Sequence, residues 1–185
     1  MIDARDDQDH AYEDEESPLS EEELIAATPQ PSARVSQGMR DQSGRILANW
    51  SMRVTTIPEF RATPDINLAQ LQEGMPELLE AALAAIAASD PAIDSAVQTR
   101  ADELATAHGR RRASEGFSIG VLIAELQELR AELWAAILRI VEIDPALSDV
   151  LITIQERLGR TFDPLIVEAA EAWVAAQAGG ETANP

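Results

Sequence analysis

The chain has 185 residues, 45% hydrophobic but only 4% aromatic, and a formal net charge of −19 with no cysteine. Without cysteine there is no disulfide, thiolate zinc site or cysteine nucleophile, and so acidic a surface argues against nucleic acid, whose phosphates reward basic side chains. Leu, Ile, Val and Ala must do most of the packing, which suits closely approaching helices better than a sheet.

Residues 1–33 read as a solvated acidic arm. Residues 1–23 hold 11 acids against Arg5 alone, and prolines stand at 18, 29 and 31. Too little apolar surface is available there to offset the entropy of ordering. Ser20 and Glu23 form a capping-box pattern ahead of Leu24-Ile25, a short helix at most. The start lacks the basic and apolar pattern of a secretory signal, and no apolar run nears the roughly 20 residues that span a bilayer. A cytoplasmic protein with no membrane segment is expected.

The folded domain is expected over residues 34–178, with a frayed tail at 179–185. Its first helix is predicted over about 37–56, with Ile46, Leu47, Trp50 and Val54 on one face. Pro58 and Pro64 interrupt the helical pattern beyond it. A second helix begins near Leu68, breaks or bends at Gly74-Met75-Pro76 and continues through Leu78, Leu79, Leu83 and Ile86. Asp90-Pro91 caps a third helix that runs to about Ser114, closed by Gly116 in a left-handed conformation. The fourth covers about 118–142, where Leu122, Leu126, Leu129, Leu133, Ile137 and Ile140 recur with helical period. Asp144-Pro145 opens a fifth, carried by Leu147, Leu151, Ile154, Leu158, Leu165, Ala169 and Trp173 to about 177. Pro164 lies inside that run, and the stripe stays in phase across it, so a kinked continuation is predicted. The expected architecture is all-α, a single bundle of four to five long helices with short connections.

Catalytic patterns fail on residue type. The chain has no lysine, hence no phosphate-binding G-x-x-x-x-G-K-[ST] loop, and no H-E-x-x-H pair. Its two histidines are His10, in the arm, and His108. No G-x-S-x-G elbow exists to partner His108. A phospho-accepting kinase histidine is commonly followed by an acid and a proline, whereas Gly109 and three arginines come after His108. No catalytic, cofactor-binding or metal site is expected, and the chain reads as a non-enzyme that needs no cofactor.

One constellation has geometric content. His108 and Arg112 are four apart and share a helix face. His108 lies eight residues before Gly116 and Glu125 nine after it, about 12 and 13.5 Å along the two helices at 1.5 Å per residue. Glu125 should therefore be level with His108 and pair with His108, Arg112 or both, so that Glu125→Gln lowers stability by about 1–3 kcal/mol. The plain reading is a buried clasp that fixes helix register. The sharper one is a switch or ligand contact, since histidine changes charge near neutral pH. Arg110-Arg111-Arg112 is the sole basic run. It reads either as favourable charge at a helix C-terminus or as an anchor for an acidic segment, in a partner or in the arm itself.

These residues also carry a family resemblance. Ile46-Leu47-x-x-Trp50, Leu71-x-x-x-Met75-Pro76-Glu77-Leu78-Leu79, His108-Gly109-x-x-Arg112-x-x-x-Gly116-Phe117 and Leu122-x-x-Glu125-x-x-x-Leu129-Arg130 together resemble the RsbRD-type N-terminal domain, the RsbT co-antagonist helical module. The resemblance covers roughly residues 40–176. It implies a regulatory module of bacterial stress signalling, also found before some sensor histidine kinases, that acts through protein partners and as a homodimer. It marks His108, Gly109, Arg112, Gly116, Phe117, Glu125 and Arg130 as the regulatory or structural clasp. In the family an output domain usually comes next, whereas here the sequence stops at 185, so the expectation is either action in trans, by oligomerisation or mixed assembly with longer homologues, or a separately encoded partner. The alternative is a helical small-molecule sensor, with haem on His108 as its sharpest form.

Overall fold

The computed structural model describes residues 30–61, 67–88 and 91–181. The arm before Gln30, with its Ser20–Ile25 segment, and the last four residues lie outside the described residues. Within them every element is helical.

Helix α1 spans Pro31–Asp41 and α2 spans Ser43–Val54, separated by Gln42 alone. The spacing predicts a first helix that starts near 37 and is unbroken. It starts instead at Pro31, where the fixed φ of proline suits the first helical position. Pro31, Ser32 and Ala33, expected to end the arm, form its first turn, and Val35 and Met39 beyond them are fully buried. Together α1 and α2 run antiparallel to α7, Ile119–Ile143. Arg34 pairs with Asp144, Gly38 lies against Ile140, and Asn49 reaches Glu132.

Next come two short helices, α3 at Pro58–Arg61 and α4 at Leu68–Gln72, the latter begun by a capping box between Asn67 and Gln70. Gly74, at φ 73°, turns the chain into α5, Met75–Ala87. Of the break or bend expected at Gly74-Met75-Pro76, the structure has the break, with two helices joined by a left-handed glycine. Eight residues of α5 are buried, and the helix lies against α1 and two later helices, α6 at Pro91–Ser114 and α8 at Leu151–Glu181.

Helix α6 spans Pro91–Ser114. Gly116, at φ 80°, then reverses the chain, and Ser118 caps α7 by accepting the Val121 amide at 3.2 Å. Although α6 and α7 are consecutive, the main neighbour of α6 is α8, Leu151–Glu181. The two run parallel, with Gly109 against Ala169 and Gln177 reaching the Ala113 carbonyl at 3.2 Å. Small residues explain this preference. Ala101, Ala105, Ala113 and Ala169 are buried, and a Cβ at Gly109 would run into the Ala169 carbonyl oxygen. On its other side α6 presents His108 and Arg112, whose long side chains hold it away from α7.

Asp144-Pro145 opens a 3-10 turn, Pro145–Val150, before α8 begins. Helix α8 passes Pro164 without a break and extends beyond the expected end at 177. Asp163 and Pro164 face solvent while Phe162 and Leu165 are buried. The hydrogen bond that proline cannot donate is thus lost on the wet side, where water can serve the Arg160 carbonyl.

The core is continuous from Val35 to Ala169 and centres on Trp50, Leu79, Leu83, Leu122, Leu129 and Phe162. No described helix is long and apolar enough to cross a membrane.

Candidate functional site

Three helices meet at Glu125, its own α7 with α6 and α2. The register of α6 and α7 about Gly116 brings its carboxylate to His108, with Oε1 2.5 Å from Nε2. Arg112, one turn further along α6, donates Nε–H to Oε1 at 2.9 Å and to Oε2 at 3.1 Å. From α2, the Trp50 indole donates to the Glu125 main-chain carbonyl at 2.7 Å. Glu125, Arg112 and His108 are 0%, 0% and 1% exposed.

The cluster extends to the end of α4. Arg112 Nη2 donates to the Leu71 carbonyl at 2.6 Å, and Nη1 donates to the Gln70 carbonyl at 3.2 Å and to Glu115 at 2.8 Å. Arg111 Nη2 donates to the Glu73 carbonyl at 2.5 Å. The last carbonyls of any helix lack intrahelical partners, and here two arginines supply them. The Arg112 guanidinium also lies 4.9 Å above the centre of the Phe117 ring, itself 5.5 Å from Phe60. Phe117 thus forms the apolar floor of the clasp, while Gly116 and Gly109 set the turn and the approach to α8.

The hydrogen bonds assign the His108 tautomer. Arg111 Nη2 lies 3.0 Å from Nδ1, and a guanidinium has only N–H groups to offer. Nδ1 therefore accepts, and Nε2 carries the proton donated to Glu125. Burial alone would raise the Glu125 carboxyl. The hydrogen bond from His108, with the charge and hydrogen bonds of Arg112, outweighs burial and holds it below the usual carboxylate range. For Arg112, burial acts to lower the guanidinium, but Glu125 and then Glu115 hold it above its ordinary value. The cluster is a closed, charge-paired junction.

Arg130 does not join it. Five residues past Glu125 is about 500° around a helix at 100° per residue, so the two point about 140° apart. Arg130 instead pairs with Asp163 of α8 at 2.9 Å, largely in solvent. The basic run also divides. Arg112 and Arg111 turn into the fold, and Arg110 alone is exposed, which leaves little of the expected anchor for an acidic segment. A ligand pocket around His108 gains no support, because both ring nitrogens are hydrogen-bonded and the ring is enclosed.

The sequence reading missed a second polar junction. Glu132 is 2% exposed, forms an ion pair with Arg53 at 2.6 Å and accepts from the Asn49 side-chain amide at 3.2 Å. Its signal was present, since Glu132 stands seven residues after Glu125 and so shares its helix face. No group of three or more His, Cys, Asp or Glu side chains among the described residues is placed to hold a metal ion.

The RsbT co-antagonist protein rsbRD N-terminal domain, as a family, matches residues 44–181 of the chain. That span takes in the whole of the clasp and begins just after α1. No curated protein and no solved structure matches the chain.

Proposed function

The chain belongs to the RsbT co-antagonist protein rsbRD N-terminal domain family, and we propose that it is a non-catalytic stress-signalling module working through protein contacts and self-pairing. Its groups suited to acid–base work, His108 and Glu125, are sealed from solvent and hydrogen-bonded to each other. That arrangement supports a structural part for them rather than turnover of a substrate.

The observation that carries the reading is a row of exposed apolar side chains along α8. Ile143 and Ile152 are 82% and 73% exposed, and Leu138, Val167 and Val174 are about half exposed. At about 100° per residue, Ile152, Val167 and Val174 fall within about 60° of one another on α8. Scattered exposed apolar residues are ordinary, but aligned ones mark a contact face. A second copy is the proposed occupant in the resting state, and a stress-signalling or histidine-kinase component the partner in cytoplasmic signalling. The acidic surface steers basic or charge-balanced partners and gives nucleic acid no foothold.

The test is capture from native lysate by the full chain and by an Ile152→Glu/Val167→Glu variant. Recovery of kinase or stress-signalling components by the first and not the second is the expected result. Equal recovery, or none by either, overturns the reading.

A further inference from the structure

We propose that α4 and the turn after it, residues 67–74, form a latch that lifts as a unit from a bundle that stays folded. The geometry of attachment sets this stretch apart. A five-residue helix has no stability of its own, because helix nucleation is costly. Of residues 67–74 only Leu71 is fully buried, and Asn67 through Gln70 are exposed. The capping box at Asn67 satisfies α4 internally and ties it to nothing else.

A set of polar bonds made by other elements holds the stretch in place. Arg112 takes the Gln70 and Leu71 carbonyls, Arg111 takes the Glu73 carbonyl, and Ser51 of α2 accepts from Gln72 Nε2 at 2.8 Å. Gly74, left-handed at φ 73°, stands at the pivot into α5. A side chain there would collide with the Arg111 guanidinium, so turn and arginine are fitted to each other. Both arginines are aimed from below, Arg111 by His108 Nδ1 and Arg112 by Glu125. The clasp is therefore the catch of the latch. Lifting α4 removes acceptors from two guanidiniums whose remaining surroundings are largely enclosed, and this biases the latch to close again.

Native-state hydrogen exchange of the full chain, read on peptides covering 68–75 and on peptides of α8, tests the proposal. In the wild type, exchange at 68–75 is expected to be faster than in α8 and insensitive to low denaturant, whereas exchange in α8 rises steeply with it. Arg111→Gln is expected to speed 68–75 by about tenfold and leave α8 unchanged, one hydrogen bond to a charged group being worth about 1.4 kcal/mol or more. Wild-type exchange at 68–75 that matches α8 in rate and denaturant dependence overturns the proposal, and needs no variant to fold. Equal acceleration of both regions in Arg111→Gln, or none at 68–75, overturns it as well.

Discussion

His108 and Glu125 stand 17 positions apart and meet with Nε2 and Oε1 2.5 Å from each other, at a point where no water reaches either. The contact fixes the register of α6 against α7 more sharply than apolar packing would, because a slip of one residue would leave a buried carboxylate facing a backbone. Arg112 raises the stakes. Its guanidinium is fully buried, so the Glu125 charge is the counterweight that makes its burial tolerable.

Removing that counterweight should be costly. Glu125→Gln keeps the shape and loses the charge, so it is expected to destabilise by about 3–5 kcal/mol, the range for breaking one side of a buried ion pair. This exceeds the roughly 1–3 kcal/mol expected from spacing alone, because the structure shows Arg112 has no exit to solvent. Urea unfolding monitored by circular dichroism gives the value. A change below about 1 kcal/mol would mean the pair carries little of the fold.

The pH dependence has a definite sign. The folded state holds the Glu125 carboxyl below its unfolded value. A depressed carboxyl contributes stability that is fully present above the unfolded value, about 4.3, and is lost as pH falls through the lower folded value. Wild type should therefore lose stability more steeply than Glu125→Gln as pH drops below about 4.5. The other carboxylates titrate in both proteins, so the difference between the two stability curves isolates Glu125. Parallel curves would contradict the assignment.

Arg130 and Arg112 make a contrast within one motif. Arg112→Ala removes the hub of the clasp and should destabilise by several kcal/mol, if it folds at all. Arg130→Ala removes a mostly exposed pair with Asp163 and should cost less than about 1 kcal/mol. Melting temperatures of the two variants would show it. Comparable losses would return Arg130 to the clasp.

Glycines give a further pair. Gly109→Ala drives a methyl into the Ala169 carbonyl oxygen, so α6 and α8 must part, at a cost of about 2–3 kcal/mol or more. Gly44→Ala, in α2 with open space around its Cα, should instead stabilise by roughly 0.5–1 kcal/mol. Opposite shifts in denaturation midpoint are expected, and shifts of the same sign would speak against the close α6–α8 approach.

Much of this site was legible because it is built from helix geometry. The left-handed turn at Gly116 and the rise per residue are enough to put His108 level with Glu125. Arg130 shares the motif with Glu125 but not its face, because five residues carry it about 140° around the helix to Asp163. Gly109 was read beside the turn, yet its use is the approach to Ala169, in a helix sixty positions later. The bonds from Arg111 and Arg112 to carbonyls at 70–73 were not legible at all. Main-chain acceptors carry no side-chain signature, and only the fold decides which turn they come from. The same holds for the preference of α6 for α8 over its sequence neighbour α7, where Gly109 lies against Ala169 among buried alanines.

The functional account rests on the apolar row of α8 as a self-pairing surface. Light scattering coupled to size exclusion, on the full chain at micromolar concentration, tests it most directly. The account predicts twice the 20.0 kDa chain mass for wild type and a single chain for Ile152→Glu/Val167→Glu with unchanged helical circular dichroism. A wild type that elutes as one chain, or a variant that still pairs, would contradict it.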